Sequence, residues 1–487
     1  MEALTVMAGM LLSLPLALAV LVDTPAPNLA VASAAPPASI AAAGATGTGA
    51  QSCSVAQQAR DHPGVRTVRM GDAWSGVRVR YPALERNGKY YFGYYDANRQ
   101  LTIAEYAAAQ NKLCLNRIAS RFGGWDSHNS IFMAFDPQGY LHVAANMHAS
   151  PMVYARGPRP DSAQGIALAP MVGSDEARVT YPRFQTDDNG QLMFIYRSGG
   201  SGNGTWIANR LDNGRWKRLN DGGLFAARDR QGPVSAYPTN PVQDVDGRFH
   251  MAIVWRRSPD TATNFRVSYI STTDFQTWRL ASGKAVRGPI TADNADLVDD
   301  VGVDNGLGTS ASLSLDGRGA PVIAYTKYDE TGANAAYVAR PTAQGWRIER
   351  VASGKTRVAV QGRGTRQRAD VTSIASLDPA TGTMRVTFPR SKAQTVRFAA
   401  PSGAMRQAQG AAEPPVRVAG ILTPPRGLLR PTLRKVAVID ADSGKPTTGV
   451  VQYFAQDSNR DVAPACDAKA PLACKPPASP VYLVLPN

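Results

Sequence analysis

Short runs in which β-branched and aromatic residues alternate with polar residues recur along the chain, and a turn signal precedes each of the seven clearest. Each signal contains Asp or Asn followed by glycine, and between two strand-like runs this predicts a β-hairpin. The signals are Asn87-Gly88, Asp136 to Gly139, Asp188 to Gly190, Asp246-Gly247, Asp316-Gly317, Asp378 to Gly382 and Asp442 to Gly444. The strands predicted after them are Lys89 to Tyr95, Tyr140 to Ala145, Gln191 to Tyr196, Arg248 to Trp255, Ala320 to Tyr325, Thr383 to Phe388 and Val450 to Phe454. The pattern indicates an all-β chain with little helix.

The spacing of the seven hairpins predicts a repeat architecture. They recur about every 50 to 70 residues, which fits a seven-bladed β-propeller whose blades are four-stranded sheets around a channel. A pair of β-sandwiches is the alternative, but it would not require one hairpin repeated throughout. The segment Ser271 to Trp278 resembles an Asp-box, a turn found in many glycan-handling propellers, although it lacks the usual glycine. We assign the propeller to residues 71–487.

The N-terminal segment predicts export. Leu4 to Val22 carries no charge, and small residues follow it around Ala32-Ser33-Ala34, as at the cleavage site of a signal peptide. We therefore predict a signal peptide at 1–34, an Ala/Pro/Gly-rich linker at 35–70, and a secreted or periplasmic protein. Because no Lys or Arg precedes the apolar run, an uncleaved N-terminal anchor is the alternative. No other run is long and apolar enough to span a bilayer.

Charge and cysteine content narrow the partners. The formal net charge of the 487-residue chain is +15, which favours anionic partners. Export makes nucleic acid a poor partner, so an acidic polysaccharide is expected. The four cysteines are an even number, which in an exported chain indicates disulfides. Cys466 and Cys474 close a short loop, and Cys53 is a candidate partner for Cys114, with the pairing itself left open. None has a histidine at zinc-ligand spacing, so no metal site is expected.

Candidate chemistry follows from the hairpin geometry. Residues about ten before and eight after each turn lie at the same end of a sheet and should meet at one mouth of the propeller. Those positions hold chemically active residues, namely His128 and His148, Tyr181 and Arg197, Tyr237 and Arg256, and Asn305 and Lys327. His142 lies inside an apolar strand and is predicted to be a core residue. The glycine-rich segment Ser198 to Gly204 after Arg197 would let the backbone approach a ligand closely.

These segments resemble a known family. Trp125 to Arg156, with its D-S-H-N and G-Y-L-H-V motifs, and Val179 to Asn209, with T-Y-P-R-F and Y-R-S-G-G-S-G-N-G, are similar to the BNR-repeat polysaccharide lyases. That group includes ulvan lyases and rhamnose–glucuronate lyases. The resemblance implies a seven-bladed propeller with catalytic positions at His128, His148, Tyr181 and Arg197. A structural zinc site found in some members is not expected, because no cysteine lies between 115 and 465.

A lyase of this kind would cleave the 4-O linkage to glucuronate or iduronate, which we expect to be linked to rhamnose, by β-elimination. Arg197, helped by His148, would bind the uronate carboxylate, because a planar guanidinium matches a carboxylate. Tyr181 and His128 would be the base and acid pair, with the C5 configuration deciding which removes the proton. The expected substrate-binding residues are Asn129, Tyr237, Trp255 and Arg256. No cofactor is needed, and a monomer is expected.

Two other functions remain open at this level. A propeller glycoside hydrolase, such as a sialidase-like enzyme, usually needs two carboxylates flanking the bond. Asp126, Asp260 and Asp304 lie near the candidate positions, but none is at a matching offset. A propeller that binds acidic glycans without cleaving them is the second alternative, and salt-dependent binding without turnover would reveal it.

Overall fold

The computed structural model describes residues 50–57, 64–187, 189–364, 371, 374–378, 383–387, 395–398 and 422–486. These residues form β-strands, turns and three short 3-10 helices at Ala108–Gln110, Thr261–Thr263 and Asn459–Asp461. The all-β prediction is therefore confirmed. No helix in this part of the chain has the length and apolar character needed to cross a membrane.

The described strands are numbered in chain order. The first half holds β1 (Gln51–Val55), β2 (Val65–Trp74), β3 (Ala83–Arg86), β4 (Lys89–Tyr95), β5 (Gln100–Ala107), β6 (Lys112–Arg121), β7 (Phe132–Phe135), β8 (Tyr140–Ala144), β9 (His148–Ser150), β10 (Tyr154–Pro160), β11 (Ala167–Leu168), β12 (Val179–Thr186), β13 (Leu192–Ser198), β14 (Thr205–Asp212), β15 (Arg215–Arg218), β16 (Arg228–Asp229) and β17 (Gly232–Pro233). The second half holds β18 (Ser235–Pro238), β19 (Val242–Gln243), β20 (Phe249–Arg256), β21 (Asn264–Thr272), β22 (Thr277–Arg279), β23 (Ala285–Arg287), β24 (Asp296–Asp300), β25 (Ser312–Leu315), β26 (Pro321–Tyr328), β27 (Asn334–Thr342), β28 (Gly345–Ser353), β29 (Ile374–Asp378), β30 (Thr383–Thr387), β31 (Thr395–Phe398), β32 (Thr432–Asp440), β33 (Pro446–Ala455) and β34 (Ala478–Pro486).

Strands that follow one another in the chain pair into antiparallel groups. There are seven such groups among the described residues. The first is β3 to β6, with β1 at the β6 edge; the second is β7 with β8, β10 and β11; the third is β9 with β12 to β15. The remaining four are β18 to β24; β25 to β28; β29 to β31; and β32 to β34 with β2. The first and last groups join in one nine-stranded sheet, because β3 pairs in parallel with β32. The small pair β16 and β17 lies outside these groups.

Each of the seven predicted turns lies between two antiparallel strands, with the turn at 379–382 outside the described residues. In four of them an aspartate side chain accepts hydrogen bonds from the backbone N–H groups two and four residues later. In the first, Asp136 Oδ1 accepts hydrogen bonds from the backbone N–H groups of Gln138 (3.0 Å) and Tyr140 (2.8 Å). Asp187, Asp244 and Asp316 accept equivalent pairs. The fifth turn therefore ends at Gly319 and not at Gly317, because Gly319 is the residue with positive φ (79°).

The hydrophobic cores lie between successive strand groups. Tyr154 of β10 belongs to one core cluster with Phe194 of β13, and Met193 of the same β13 belongs to another cluster with Met251 of β20. Because strand residues alternate between the two faces, β13 can contribute to both cores. Neighbouring groups thus share their apolar faces.

The two termini of the described chain meet in one sheet. The strand β2 pairs with β34 along its length, from Val65 opposite Pro486 to Trp74 opposite Ala478. The strand β1 and most of β2 come from residues 35–70, the predicted linker, and the described part of that segment is therefore paired in sheets. A disulfide joins Cys53 of β1 to Cys114 of β6, and a second joins Cys466 to Cys474, so both candidate pairings are confirmed.

Candidate active site

Three adjacent strands bring together three of the residues predicted from the hairpin offsets, His148, Tyr181 and Arg197. In the β9–β12–β13 ladder, Thr180 pairs with His148 on one side and with Arg197 on the other. His148 begins β9 and does not end β8, because the chain passes from one strand group to the next at residues 145–147. The offset argument therefore placed His148 correctly beside Tyr181 and Arg197, although it assigned His148 to the wrong strand.

Tyr181 has an unusual backbone conformation. The β12–β13 register shifts between Thr180 and Arg183, and Tyr181 adopts a left-handed φ of 54°, which is rare for a residue with an aromatic side chain. A β-bulge of this kind re-aims a side chain out of the regular alternation. The Tyr181 ring lies 6.1 Å from the His128 ring and 6.5 Å from the His148 ring, between centroids. The Arg197 guanidinium lies over the same ring, 4.9 Å from its centroid.

His128 and His148 share one carboxylate. Asp126 Oδ1 accepts a hydrogen bond from the His128 backbone N–H (2.9 Å) and lies 2.6 Å from His128 Nδ1, while Asp126 Oδ2 contacts His148 Nδ1. The two imidazole rings are stacked, with their centroids 4.3 Å apart. A carboxylate partner fixes the proton on Nδ1 of each ring, so the Nε2 atom of each ring is left for a substrate. Both side chains are about one-third exposed.

Electrostatic interactions set the protonation of this group. Burial opposes the ionisation of Asp126, but hydrogen bonds from His128 and His148 outweigh it and hold the pKa of the carboxyl well below its usual range. The hydrogen bond to Asp126 raises the pKa of His128, although burial acts in the opposite direction. Burial raises the pKa of Tyr181. Arg197 lowers the pKa of Tyr181, but its effect is smaller than that of burial.

Arg197 is a buried cation. Only 2% of the residue is exposed, its Nε has no hydrogen-bond partner, and no carboxylate in the described part of the chain pairs with it. The glycine-rich segment makes room for its stem, since a Cβ on Gly204 would lie 2.6 Å from Arg197 Cδ. A buried charge normally has a partner, because removing an ion from water is costly. Arg197 is thus prepared for an anion that comes from outside the protein.

Arg256 and Tyr237 hold the glycine-rich loop in place. Arg256 is 3% exposed and donates to Asn264 Oδ1 (2.7 Å), Tyr237 OH (3.0 Å) and Ser201 Oγ (3.2 Å). The Tyr237 hydroxyl also accepts from the Gly202 N–H (3.1 Å). The predicted role of Arg256 in contacting sugars is therefore corrected, since protein acceptors already bind each nitrogen of its guanidinium. The half-buried Tyr237 ring lies between Arg256 and Arg197.

Two other predicted substrate-binding residues have structural contacts. Trp255 is fully buried and packs against Phe225 in a hydrophobic core, so the prediction that it stacks on a sugar is wrong. Asn129 is 9% exposed and donates to the backbone oxygen of Asp126 (3.1 Å), while the Tyr95 hydroxyl donates to its carbonyl. Asn129 therefore shapes the loop that carries His128. Lys327, at an equivalent offset, pairs with Asp299 (2.6 Å) and does not join this cluster.

Asp126 was considered from the sequence only as a hydrolase carboxylate, and its role beside the histidines was missed. The signal was present, because an aspartate two residues before a histidine can bind both its backbone N–H and its ring. Asp126, His128 and His148 also form the one group of three metal-ligand types found among the described residues, with ligand atoms within 4.8 Å of one another. The Asp126 carboxylate contacts Nδ1 of both histidines. We therefore interpret the three residues as a hydrogen-bonded network, and the absence of a metal stays a prediction.

Comparison with known proteins adds a family and a fold. The model of a family described as "BNR repeat-containing family member" matches residues 89–353. The chain superposes on a polysaccharide lyase with a TM-score of 0.51 and 14% identity, covering 85% of this chain and 92% of the lyase. It superposes on an ulvan lyase of a new polysaccharide lyase family with a TM-score of 0.50 and 14% identity, covering 82% and 93%. The same ulvan lyase is known with GlcA(1-4)Rha3S bound. No curated protein sequence matches this chain. At this identity the likeness to solved structures concerns the fold alone.

Proposed function

This chain belongs to the BNR repeat-containing family, whose model matches more than half of it, and we propose that it is a polysaccharide lyase. The reaction proposed is β-elimination at the 4-O linkage to a uronic acid, which leaves an unsaturated uronate at the new end. The observation that carries the proposal is the buried Arg197 guanidinium without a carboxylate partner in the described chain, beside two histidines and a tyrosine.

The proposed reaction begins with the acidity of the uronate. The C5 proton is weakly acidic while the adjacent carboxylate keeps its full charge. Arg197 pairs with that carboxylate and stabilises the negative charge that develops on it as the C5–H bond breaks. His148, whose Nε2 is left free by its contact with Asp126, helps to hold the same group. A fixed, desolvated cation is effective here because it needs no reorganisation during the reaction.

Proton transfer falls to Tyr181 and His128 in this proposal. One removes the C5 proton and the other protonates the departing O4, so that the C4–O4 bond breaks and a C4=C5 double bond forms. Their rings lie 6.1 Å apart between centroids, close enough for both to contact one sugar. The configuration at C5 decides which residue is the base. Each proton transfer of this kind typically contributes ~10²- to 10⁴-fold to the rate.

The architecture proposed for this activity is a seven-bladed β-propeller that forms the catalytic domain. It comprises the predicted range 71–487 together with β1 and the first part of β2, which lie in the predicted linker. It is supported by seven hairpins in seven strand groups, by cores between successive groups, and by the pairing of β2 with β34, which would close the ring. We also propose that the protein is exported through its N-terminal segment, at 1–34, and acts as a monomer. The two disulfides are consistent with export, since they persist outside a reducing cytoplasm.

The substrate class is proposed from charge and from the fold relatives. The net charge of +15 favours a polyanionic chain. The ulvan lyase that shares the fold binds GlcA(1-4)Rha3S, in which a glucuronate is joined to a sulfated rhamnose. A polysaccharide in which a uronate alternates with rhamnose is therefore the first substrate class to test.

A glycoside hydrolase is less well supported by the site. Hydrolysis usually requires two carboxylates that are free to act on the bond. Asp126, the carboxylate in the middle of this cluster, is held by both histidines. A binding protein without activity would leave the strained Tyr181 without a purpose, because such strain is generally kept only where function requires it.

The test is product analysis on a panel of rhamnose–uronate polysaccharides. A lyase gives fragments one water lighter than hydrolysis products, and the new double bond absorbs in the ultraviolet. We expect Tyr181→Phe to lower turnover at least about 100-fold without loss of folding. Tyr140→Phe, at the start of β8, is the matched control and should keep the parent rate. Hydrated products, or binding without products, would refute the lyase proposal, and near-parent turnover of Tyr181→Phe would remove the tyrosine from it.

A further inference from the structure

A second carboxylate, besides Asp126, reaches the candidate site from the far end of the chain. Asp461 ends the short 3-10 helix Asn459–Asp461, which follows β33 in the last strand group. Its Oδ1 accepts hydrogen bonds from the backbone N–H of Ser127 (2.8 Å) and from Ser127 Oγ (2.6 Å). Its Oδ2 lies 3.7 Å from His128 Nδ1, the same nitrogen that contacts the Asp126 carboxylate. The loop that carries His128 is thus bound by a residue 334 positions away.

The backbone around Asp461 is strained. Three consecutive residues without glycine, Asn459, Arg460 and Asp461, have left-handed φ values of 45°, 56° and 67°. Such a run is disfavoured for L-residues at each position. The surrounding contacts hold it, since Ser458 Oγ accepts from the Arg78 N–H (3.1 Å) and Asp457 pairs with Arg430 (3.3 Å). Backbone strain that neighbouring contacts hold in place is usually found at functional sites.

We propose that Asp461 is a positioning residue that fixes His128 for catalysis, so that the C-terminal strand group completes a site otherwise built from residues 126–197. The Asp461 carboxylate acts in two ways. It anchors the Ser127 backbone, which sets where His128 stands, and it places a second negative charge beside Nδ1 of that ring. The kinetic part of this inference rests on the proposed lyase function, whereas its structural and titration part does not.

The charge part depends on all groups that face His128. Asp126 and Asp461 lie on its Nδ1 side, the His148 ring is stacked on it, and Arg197 and Tyr181 lie across the site. The two carboxylates favour the protonated imidazole, and Arg197 disfavours it. Asp461→Asn keeps an oxygen that can accept from Ser127 but removes the charge. Asp461→Ala removes both, and the pair therefore separates charge from anchoring.

The test without substrate is a histidine titration by NMR on the whole protein. The chain has five histidines, and the His128 signal is identified by its loss in His128→Gln. We expect Asp461→Asn to lower the His128 titration midpoint by roughly half a pH unit, because the lost charge lies close to Nδ1. The buried His142 and His250 serve as internal references and should not move. Glu330→Gln, which removes an exposed carboxylate paired with Arg350, is the control variant.

The test with substrate is the pH profile of turnover. In Asp461→Asn the limb that reports His128 should move to lower pH, whereas a purely structural role would leave both limbs in place. In Asp461→Ala we expect kcat to fall roughly 10- to 100-fold with little change in KM, because the proton-transfer group is displaced. An unchanged His128 midpoint, or parent kcat in Asp461→Ala, would overturn the inference. If no polysaccharide is cleaved while the midpoint moves, the proposed function fails and the link between Asp461 and His128 stands.

Discussion

Two histidine–aspartate pairs, His142 with Asp136 and His128 with Asp126, lie close together in the sequence. They differ in how many ring nitrogens of the histidine are hydrogen-bonded. His142 is fully buried, with Tyr154 OH 2.7 Å from its Nδ1 and Asp136 Oδ2 3.1 Å from its Nε2. His128 is about one-third exposed, and among the described contacts only its Nδ1 is hydrogen-bonded, to Asp126. Both pairs join an imidazole to a carboxylate. Only His128 keeps a ring nitrogen for a ligand, which separates a structural pair from a candidate catalytic one.

The structural pair is part of the repeat. His250 reproduces it, with Tyr269 OH 2.6 Å from Nδ1 and Asp244 Oδ2 3.0 Å from Nε2. In both copies the aspartate that closes the hairpin turn lies six residues before the histidine. A feature that recurs in two strand groups supports the fold. The cluster of Asp126, His128 and His148 has no such second copy among the described residues, as expected for a single active site.

The largest expected effect comes from Arg197, for which the described residues provide no carboxylate partner. Arg197→Met should lower lyase turnover by roughly 10³-fold, because the group that neutralises the substrate carboxylate is lost. The same change should leave the melting temperature unchanged or raise it, since a buried unpaired charge is replaced by an apolar side chain of similar length. Turnover with a uronate polysaccharide and thermal unfolding measure the two effects.

Arg256→Met is the matched control for Arg197→Met. Arg256 is buried to a similar degree but donates to Asn264, Tyr237 and Ser201, so its loss leaves the buried Asn264 side-chain oxygen without this donor. We expect it to destabilise the protein by about 1–3 kcal/mol. If Arg197→Met destabilised the protein as much as Arg256→Met, the guanidinium of Arg197 would have a structural partner and the argument for an external anion would fail.

The second prediction separates the two histidines directly. His128→Gln should lower turnover about 100-fold or more with little effect on stability, because its free nitrogen is the group lost. His142→Gln should leave turnover near the parent value and lower the free energy of unfolding by about 1–3 kcal/mol, since it disturbs two buried hydrogen bonds. Kinetics and urea unfolding on both variants check this pattern, and equal effects of the two changes on either quantity would contradict it.

Local geometry explains what the sequence could predict. The hairpins depend on Asp–Gly turns that are a few residues long. Counting residues before and after those turns predicted that His128, Tyr181 and Arg197 lie near one another, as they do. Trp255 could have been excluded as well, because it is next to Arg256 on β20 and successive side chains point to opposite faces of a sheet. The bulge at Tyr181 has no clear signal in the sequence beyond the following Pro182.

Long-range contacts explain what the sequence could not predict. Asp461 contacts Ser127 across 334 positions, and nothing in the segment Asp457 to Asp461 marks it as part of a site. The part of the predicted linker that forms β1 and β2 was missed for the same reason. Its partners, β6 and β34, are remote in the chain, so the pairing depends on how the sheets assemble.

The smallest expected effect is on the pH dependence of stability, where the two histidines should act with opposite sign. Burial lowers the pKa of His142, so its contribution to stability is present above the pKa of the unfolded chain, ~6.5, and is lost as the pH falls. The hydrogen bond to Asp126 raises the pKa of His128, so its contribution is present below ~6.5 and is lost as the pH rises through the folded value.

Relative to the parent, His142→Gln should therefore reduce the loss of stability between about pH 8 and about pH 5, and His128→Gln should increase it. Urea unfolding at the two pH values measures both slopes, and this window lies above the range in which aspartates titrate, ~3.9 in unfolded chains. A change of the same sign in both variants would show that the two imidazoles have the same environment, and the distinction between the repeated pair and the single one would be lost.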